Sequence, residues 1–386
     1  MIRVRPVALL ATAIMLAITA LPVAAADTDG DGLRDGFERR YGLTSPDRAD
    51  TDGDGVIDSA EDHDGDRLSD RGEQRFKSDP TLLDTDSDGL PDSAEDADGD
   101  GRSNALQQDQ RRVPRKVRPA LRVADEDLQP RRRRCQAWHG RSRVRTCGFG
   151  PQDAEVRVVL AGDSHATMYL TPLARIAQAN GWQLTTMTKS ACPALPGLFG
   201  NNQWDIDRGR SCRRWQERVI KRLAADPPDL VLYVHTPGYK LRRPGGRSVA
   251  TWKQQGEWRR GLMRATESLS SETIVLALGG TPRNFGRNPV SCLQQNLRDI
   301  SACTSRRQPE EKRTMDVGLQ QAARGSRAIF ASLYDQVCSY DPCPLIQGNV
   351  VMWRDGSHLS ETFARRLQPS LEQILLDALA AAPAES

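Results

Sequence analysis

Residues 155–179 read EVRVVLAGDSHATMYLTPLARIAQA, and this stretch decides the fold. Val156 to Ala161 is a short apolar, β-branched run, Gly162-Asp163-Ser164-His165 interrupts it, and a helical pattern follows at once. The alternation recurs downstream. Candidate strands cover Val156 to Ala161, Gln183 to Thr188, Leu230 to His235, Thr273 to Leu278 and Ala328 to Leu333, with helical patterns at 166–179, 207–225, 251–270, 310–324 and 361–380. Strands alternating with helices predict an α/β fold, a parallel sheet with helices on both faces. In such sheets reacting groups gather at the carboxyl ends of the strands, which is where Ser164 falls.

A serine at a strand-to-helix turn presents its hydroxyl and its backbone N–H beside a helix N-terminus, which favours developing negative charge. Far downstream, Asp355-Gly-Ser-His358 precedes the last helical pattern. A histidine there can take the serine proton, and an aspartate three residues earlier can hold the imidazole in the required tautomer. Ser164, Asp355 and His358 are thus a candidate triad in the order Ser, Asp, His. Taken singly, Ser164 or Asp163 reads as a helix cap and His358 as a surface residue; their placement after the first strand and before the last helix favours the triad. His165 faces the helix start and receives no catalytic role.

At the N-terminus, Arg3 and Arg5 precede an apolar run from Val7 to Val23, and Ala24-Ala25-Ala26 offers small residues for cleavage. Residues 1–26 read as an export signal; the alternative is a membrane anchor, the run lying near the lower length limit for spanning. The mature chain is expected in the periplasm, secreted or at the cell surface, with no later stretch apolar enough to span. Eight cysteines fit an oxidising compartment and fall in close pairs: Cys135 with Cys147, Cys192 with Cys212, Cys292 with Cys303, and Cys338 with Cys343. Eight cysteines allow about 105 pairings, among which neighbour pairing is the simplest. Zinc binding is the alternative, disfavoured by the absence of CxxC or Cys/His spacing.

Five loops repeat one acidic pattern, starting at residues 27, 50, 62, 84 and 96. Positions 1, 3, 5, 9 and 12 are Asp27, Asp29, Asp31, Asp35 and Glu38 in the first loop and Asp50, Asp52, Asp54, Asp58 and Glu61 in the second. They are Asp62, Asp64, Asp66, Asp70 and Glu73 in the third, and Asp84, Asp86, Asp88, Asp92 and Glu95 in the fourth. The fifth offers Asp96, Asp98, Asp100 and Asn104 and ends in Gln107. Ca²⁺ takes six to eight hard oxygen ligands, and this ladder supplies them; glycine at position 6 makes the sharp turn. Arg67 replaces that glycine in the third loop, so the third and fifth sites are expected to be weaker or differently built. The bland reading is a solvated acidic tail. With little apolar content between loops, metal is expected to supply much of the folding energy.

The chain has 386 residues and a formal net charge of +3, which hides an asymmetry: residues 27–110 carry 26 Asp/Glu against 9 Lys/Arg. A disordered chain and a disulfide mini-protein are excluded by length and composition. Nucleic acid is not expected as a partner, since the acidic block would repel phosphate. Residues 111–134, with three prolines and many arginines, read as a basic linker, extended and solvated, positioned to meet an anionic envelope polymer or the acidic repeats. The organisation is then signal (1–26), repeats (27–110), linker (111–134) and a cysteine-bearing domain (135–386).

The repeats, with their connectors RYGLTSPDRAD and RFKSDPTLLD, resemble thrombospondin type 3 repeats of bacterial surface proteins, which imply a calcium-loaded spacer or stalk. GDSH and DGSH resemble the first and last blocks of the SGNH hydrolase superfamily. CGFG, TKSACP, CRRW, PDLVLYV, CPL and RDGSHLS resemble the SGNH domain attached to membrane acyltransferase-3 proteins that O-acylate surface polysaccharides. From about Cys135 to Leu379 the resemblance implies a flavodoxin-like fold and acyl-ester chemistry on a carbohydrate without a catalytic cofactor. Ser164 would be the nucleophile, Asp355 the orienting acid and His358 the base. The superfamily's GxND block reads His235-Thr236-Pro237-Gly238 here, without the oxyanion-binding asparagine. The N–H of Ser164 remains as one donor; the second is sought in the segment from Gly197 to Asn202, with Gly200 and Asn202 as candidates, or at Asn284. His235 either replaces the asparagine or fills a structural hydrogen bond. No multi-helix membrane domain accompanies the motifs, so the protein is expected either to hydrolyse acyl esters or to transfer acetyl groups from a separate membrane acyl-donor protein to an envelope glycan. A non-catalytic, calcium-dependent binder of surface glycans is the reading from a different class.

Overall fold

In this computed structural model the described residues are 26–97, 103–108, 113–130, 132–138, 140–198, 206–241, 248–282, 288–338 and 342–381. The stretch expected to be an export signal, up to residue 25, and the candidates Asp98, Asp100, Gly200, Asn202 and Asn284 lie outside them. The strands in chain order are β1 (Gln136–Ala137), β2 (Gly148–Phe149), β3 (Arg157–Gly162), β4 (Gln183–Lys189), β5 (Leu230–Val234), β6 (Ile274–Leu278), β7 (Ile329–Ala331), β8 (Ile346–Gln347) and β9 (Val350–Val351).

The main sheet runs β1-β4-β3-β5-β6-β7, all parallel, and β2 joins the outer edge of β4 antiparallel. The first of the five expected strands is flanked by the second and third, the flavodoxin-like order. Side chains alternate between two cores, as strand geometry requires. Val158, Leu160, Leu232 and Leu276 face Leu173, Ile176, Leu371 and Leu375 on one side. Val159, Ala161, Val231 and Tyr233 face Trp215, Trp258, Leu262 and Leu319 on the other. Because both faces are covered, the strands read as continuous apolar runs.

All five expected strands are present within two residues. The pattern at 166–179 divides into a tight turn at Ala166–Tyr169 and a helix at Leu170–Ala179, and that at 361–380 into Glu361–Ala364 and Gln368–Ala380. All four neighbouring cysteine pairs are disulfides.

The basic linker is not extended and solvated over its described part. Arg118 donates its N–H to Asn349 O and accepts from Val351 N, while Asp127 accepts from Glu361 N and Thr362 N at the start of the Glu361–Ala364 helix. Val113, Val117 and Leu121 pack on the main core. These apolar residues recur every fourth position among the arginines, and their burial outweighs the surrounding charge.

The repeats form by one set of local bonds. In each of the first four loops the position-1 carboxylate accepts from the N–H three residues on, and positions 3 and 5 each accept from the N–H two residues on. Arg67 keeps the third loop's turn at φ +82 despite its Cβ. Asp31 accepts from Ser59 N and Asp66 from Ser93 N, so the first loop is tied to the second and the third to the fourth. The segment also lies against the α/β domain: Ser370 Oγ on the last helix donates to Asp54 O.

Candidate active site

Gly162 ends β3 where the chain must pass close to β5. A Cβ there would stand 1.9 Å from Val234 O and 2.8 Å from Ala166 Cβ, so only glycine fits. The next residue, Asp163, is fully buried and braces the turn, accepting from His165 N at 2.7 Å and from Thr236 N at 2.9 Å. Burial pushes its carboxyl up to about 6 against the lowering effect of these N–H groups. The brace leaves Ser164 at the sheet's carboxyl edge, with its carbonyl accepting from Thr167 Oγ1 at 2.7 Å.

The chain brings the other two residues to the same place through a tight loop after β9. Trp353 bridges to Leu359, Arg354 N donates to His358 O at 3.1 Å, and Ser360 caps the Glu361–Ala364 helix through Phe363 N. Within the loop Asp355 Oδ1 accepts from Ser357 N and His358 N, each at 2.9 Å, which folds the carboxylate back toward the imidazole. His358 Nδ1 lies 2.9 Å from both Asp355 oxygens, and Nε2 lies 2.8 Å from Ser164 Oγ. All three expected residues therefore meet in one hydrogen-bonded line.

A family model described as an SGNH domain fused to AT3 domains matches residues 134–373. The chain belongs to this SGNH family. Among solved structures this SGNH protein is similar to the periplasmic domain of a lipopolysaccharide acetyltransferase from Salmonella ser. Paratyphi A, at 16% identity, over 58% of this chain and 85% of that one, with a TM-score of 0.46. It is also similar to a carbohydrate acetylesterase from Sinorhizobium meliloti, at 13% identity, over 58% and 99% of the two chains, with a TM-score of 0.35. A family two carbohydrate esterase from Clostridium thermocellum aligns at 11% identity over 60% and 66%, with a TM-score of 0.37. No curated protein matches.

Electrostatically, this SGNH site keeps its acid ionised. Burial acts to raise the Asp355 carboxyl, but the hydrogen bond and charge of His358 and the guanidinium of Arg354 outweigh it and hold it well below the usual carboxylate range. Arg354 Nη1 is 3.2 Å from Asp355 Oδ2, a contact the sequence reading missed. Its signal is adjacency alone, since an arginine next to an acid is common on surfaces. His235 settles as a structural residue. It is buried between Tyr233 and Trp258, accepts from Ala194 N at 2.9 Å through Nε2, and is pushed down to about 3 by burial. His165 packs its ring 4.6 Å from that of His358.

The repeats have the donor set for a hard cation. Asp29 Oδ2, Asp64 Oδ2 and both oxygens of Glu38 and Glu73 are buried without a hydrogen-bond donor. Asp29, Glu38 and Asp58 converge, as do Asp27, Asp29 and Asp31, Asp50, Asp52 and Asp54, and Asp84, Asp86, Asp88 and Glu95. Burial, then the neighbouring carboxylates, pushes Glu38 up to about 7 and Glu73 up to about 10. Position 9 closes each loop from within: Asp35, Asp58, Asp70 and Asp92 accept from the N–H of Thr28, Thr51, His63 and Thr85.

Proposed function

We propose that this protein is an exported acyl-ester enzyme that removes or transfers O-acetyl groups on an envelope or surface polysaccharide through an acyl-serine. The observation that carries the reading is the line from Ser164 Oγ through His358 to Asp355, at 2.8 and 2.9 Å. Membership of the SGNH family supports an esterase or acyltransferase. The four disulfides support a compartment outside the cytoplasm. Among the described residues no helix is long and apolar enough to cross a membrane.

In the first half-reaction His358 Nε2 takes the Ser164 proton as Oγ bonds to the acyl carbon. The Ser164 N–H donates to the oxyanion, and Asp355 stabilises the imidazolium. Collapse breaks the bond to the leaving group, the sugar oxygen when a sugar ester is the substrate or the donor's acyl-bearing atom when a separate donor supplies the acetyl, and that group leaves with the proton from His358. In the second half-reaction His358 deprotonates water or a second sugar hydroxyl, which takes the acyl group and restores the serine. Water as acceptor makes the protein an acetylesterase. A sugar acceptor makes it a transferase, fed by a separate membrane acyl-donor protein.

The repeats would hold Ca²⁺ in a structural role. Their buried, donor-free carboxylate oxygens are the groups a divalent cation would satisfy. Turnover of a chromogenic acetyl ester by the full chain, beside Ser164→Ala, tests the reading. Turnover lost in the variant supports it. No turnover or transfer from any acetyl donor, with calcium-dependent glycan binding intact, would replace it with a binding function.

A further inference from the structure

His358 and Asp355 hang from a hairpin that is too small to hold itself. β8 and β9 pair through two residues each, Ile346 with Val351 and Gln347 with Val350, and the chain leaves β9 directly into the 352–359 loop that carries both groups. A two-stranded hairpin is marginal in water, so its place is set by what grips it. Arg118 N donates to Asn349 O at 2.7 Å, Arg366 Nη1 to Gln347 O at 3.3 Å and Ser360 Oγ to Val351 O at 2.6 Å. The tip, Gly348, meets the repeats. A Cβ placed there would stand 3.6 Å from Asp31 O of the first loop and 3.8 Å from Ile57 Cδ1 of the second. A Cβ at Gly55 of the second loop would overlap Ser370 Oγ, which donates to Asp54 O, and would stand 3.9 Å from Gln336 Cγ. The first two loops therefore sit on the hairpin tip and on the start of the Gln368–Ala380 helix.

One group of carboxylates ties these two loops together. Asp29 converges with Asp27 and Asp31 of its own loop, and also with Glu38 and with Asp58 of the second loop. Glu38 is 1% exposed and neither of its oxygens has a hydrogen-bond donor, an arrangement that a divalent cation satisfies. Asp31 belongs to this group by its side chain, while its carbonyl accepts from Ser59 Oγ at 2.8 Å and faces the hairpin tip. Val56, Ile57 and Ala60 form the repeats' one apolar cluster among the described residues, too few side chains to offset so much gathered charge. Without a cation the like charges push the two loops apart, and Asp31 and Ile57 leave the hairpin tip with them.

We propose that the first two repeats are a calcium-set brace for the triad: a cation held by Asp29, Asp31, Glu38 and Asp58 fixes the surface on which Gly348 rests, and so holds the hairpin that presents His358 and Asp355 to Ser164. On this account the repeats act on the α/β domain instead of standing off it as a stalk. The inference rests on the acyl-ester reading for its meaning, whereas its test reads the hairpin itself. Hydrogen–deuterium exchange of the full chain is followed in excess Ca²⁺ and in chelator, with calorimetry to record calcium binding. Exchange across residues 346–360 is expected to slow about tenfold with Ca²⁺ while that of β5 stays within about twofold. Glu38→Gln should raise the calcium concentration that produces this slowing about tenfold, and Glu95→Gln in the fourth loop should leave it within about twofold. Ser370→Glu wedges a carboxylate against Asp54 and Gly55 from the first turn of a helix, where an acid favours the helix. It should keep calcium binding yet leave residues 346–360 exchanging as fast in Ca²⁺ as in chelator, with Ser370→Ala in between. Calcium binding without a change at 346–360 would overturn the proposal, as would no binding at all, equal slowing throughout the α/β domain, or a full calcium response in Ser370→Glu. Turnover of an acetyl ester is measured separately, so either reading can fail while the other stands.

Discussion

Replacing Asp355 by asparagine is the sharpest perturbation of the proposed relay, because it changes one charge and almost no volume. The side-chain oxygen of the introduced amide can still accept from Ser357 N and His358 N, so the loop should hold. Its N–H group, however, then faces His358 Nδ1, which must become the acceptor. That moves the imidazole proton to Nε2, 2.8 Å from Ser164 Oγ, where an acceptor is needed. The serine loses its base and the imidazolium its counter-charge. A wrong tautomer in a triad of this kind lowers kcat by about 10³–10⁴, which corresponds to about 4–5.5 kcal/mol of barrier. The assay is kcat on p-nitrophenyl acetate, with circular dichroism to check the fold. Stability should also respond to pH. The folded Asp355 carboxyl is held below its unfolded value, so its contribution is present above the ordinary carboxylate range and is lost as pH falls below it; the Asp355→Asn variant lacks that component. A folded Asp355→Asn protein retaining more than a tenth of parent kcat would refute the reasoning.

Arg354→Gln removes a positive charge 3.2 Å from Asp355, which favours protonation of His358 and should move the acid limb of the kcat/KM profile to higher pH, with partial return in Arg354→Lys; an unmoved limb contradicts this. Gly162→Ala should cost about 3 kcal/mol through overlap with Val234 O, read as a fall in Tm of roughly 6–12 °C. Folded-state Glu38 is raised to about 7, above its unfolded value, so in chelator its stabilising contribution is full at low pH and is lost as pH rises from about 4.5 through about 7; protease protection of the repeats should fall over that range and return with Ca²⁺. Glu73→Gln should reverse sign between conditions, stabilising the repeats in chelator by removing a buried unpaired carboxylate and lowering calcium affinity by about tenfold; stabilisation in both conditions would argue against a metal there.

The sheet was legible because its strands are buried on both faces and therefore appear as unbroken apolar runs such as Leu230–Val234. The meeting of Ser164, His358 and Asp355 was legible because each sits at a boundary between elements, where a Ser or an Asp-x-x-His stands out. Elements held by few residues were not. The β8–β9 hairpin has two residues per strand, and the Pro289–Gln295 helix announces itself only by its Asn288 cap. Val113, Val117 and Leu121 were hidden among arginines, so a packed segment read as a linker. His235 was left between two roles by sequence, because only burial distinguishes a prop from a donor. The carboxylate ladder was visible in full, but its pairing of loops through Asp31 with Ser59 and Asp66 with Ser93 spans 28 and 27 residues and has no local signature.

The central claim is that Ser164 is an activated nucleophile. Fluorophosphonate reagents modify a serine only when a neighbouring base removes its proton, so intact-mass analysis of the full chain after labelling, followed by peptide mapping, reads the claim in one step. One adduct, located on Ser164 and lost in Ser164→Ala and His358→Ala, is the predicted result. A folded protein that remains unlabelled, or that carries its adduct on another residue, would contradict it.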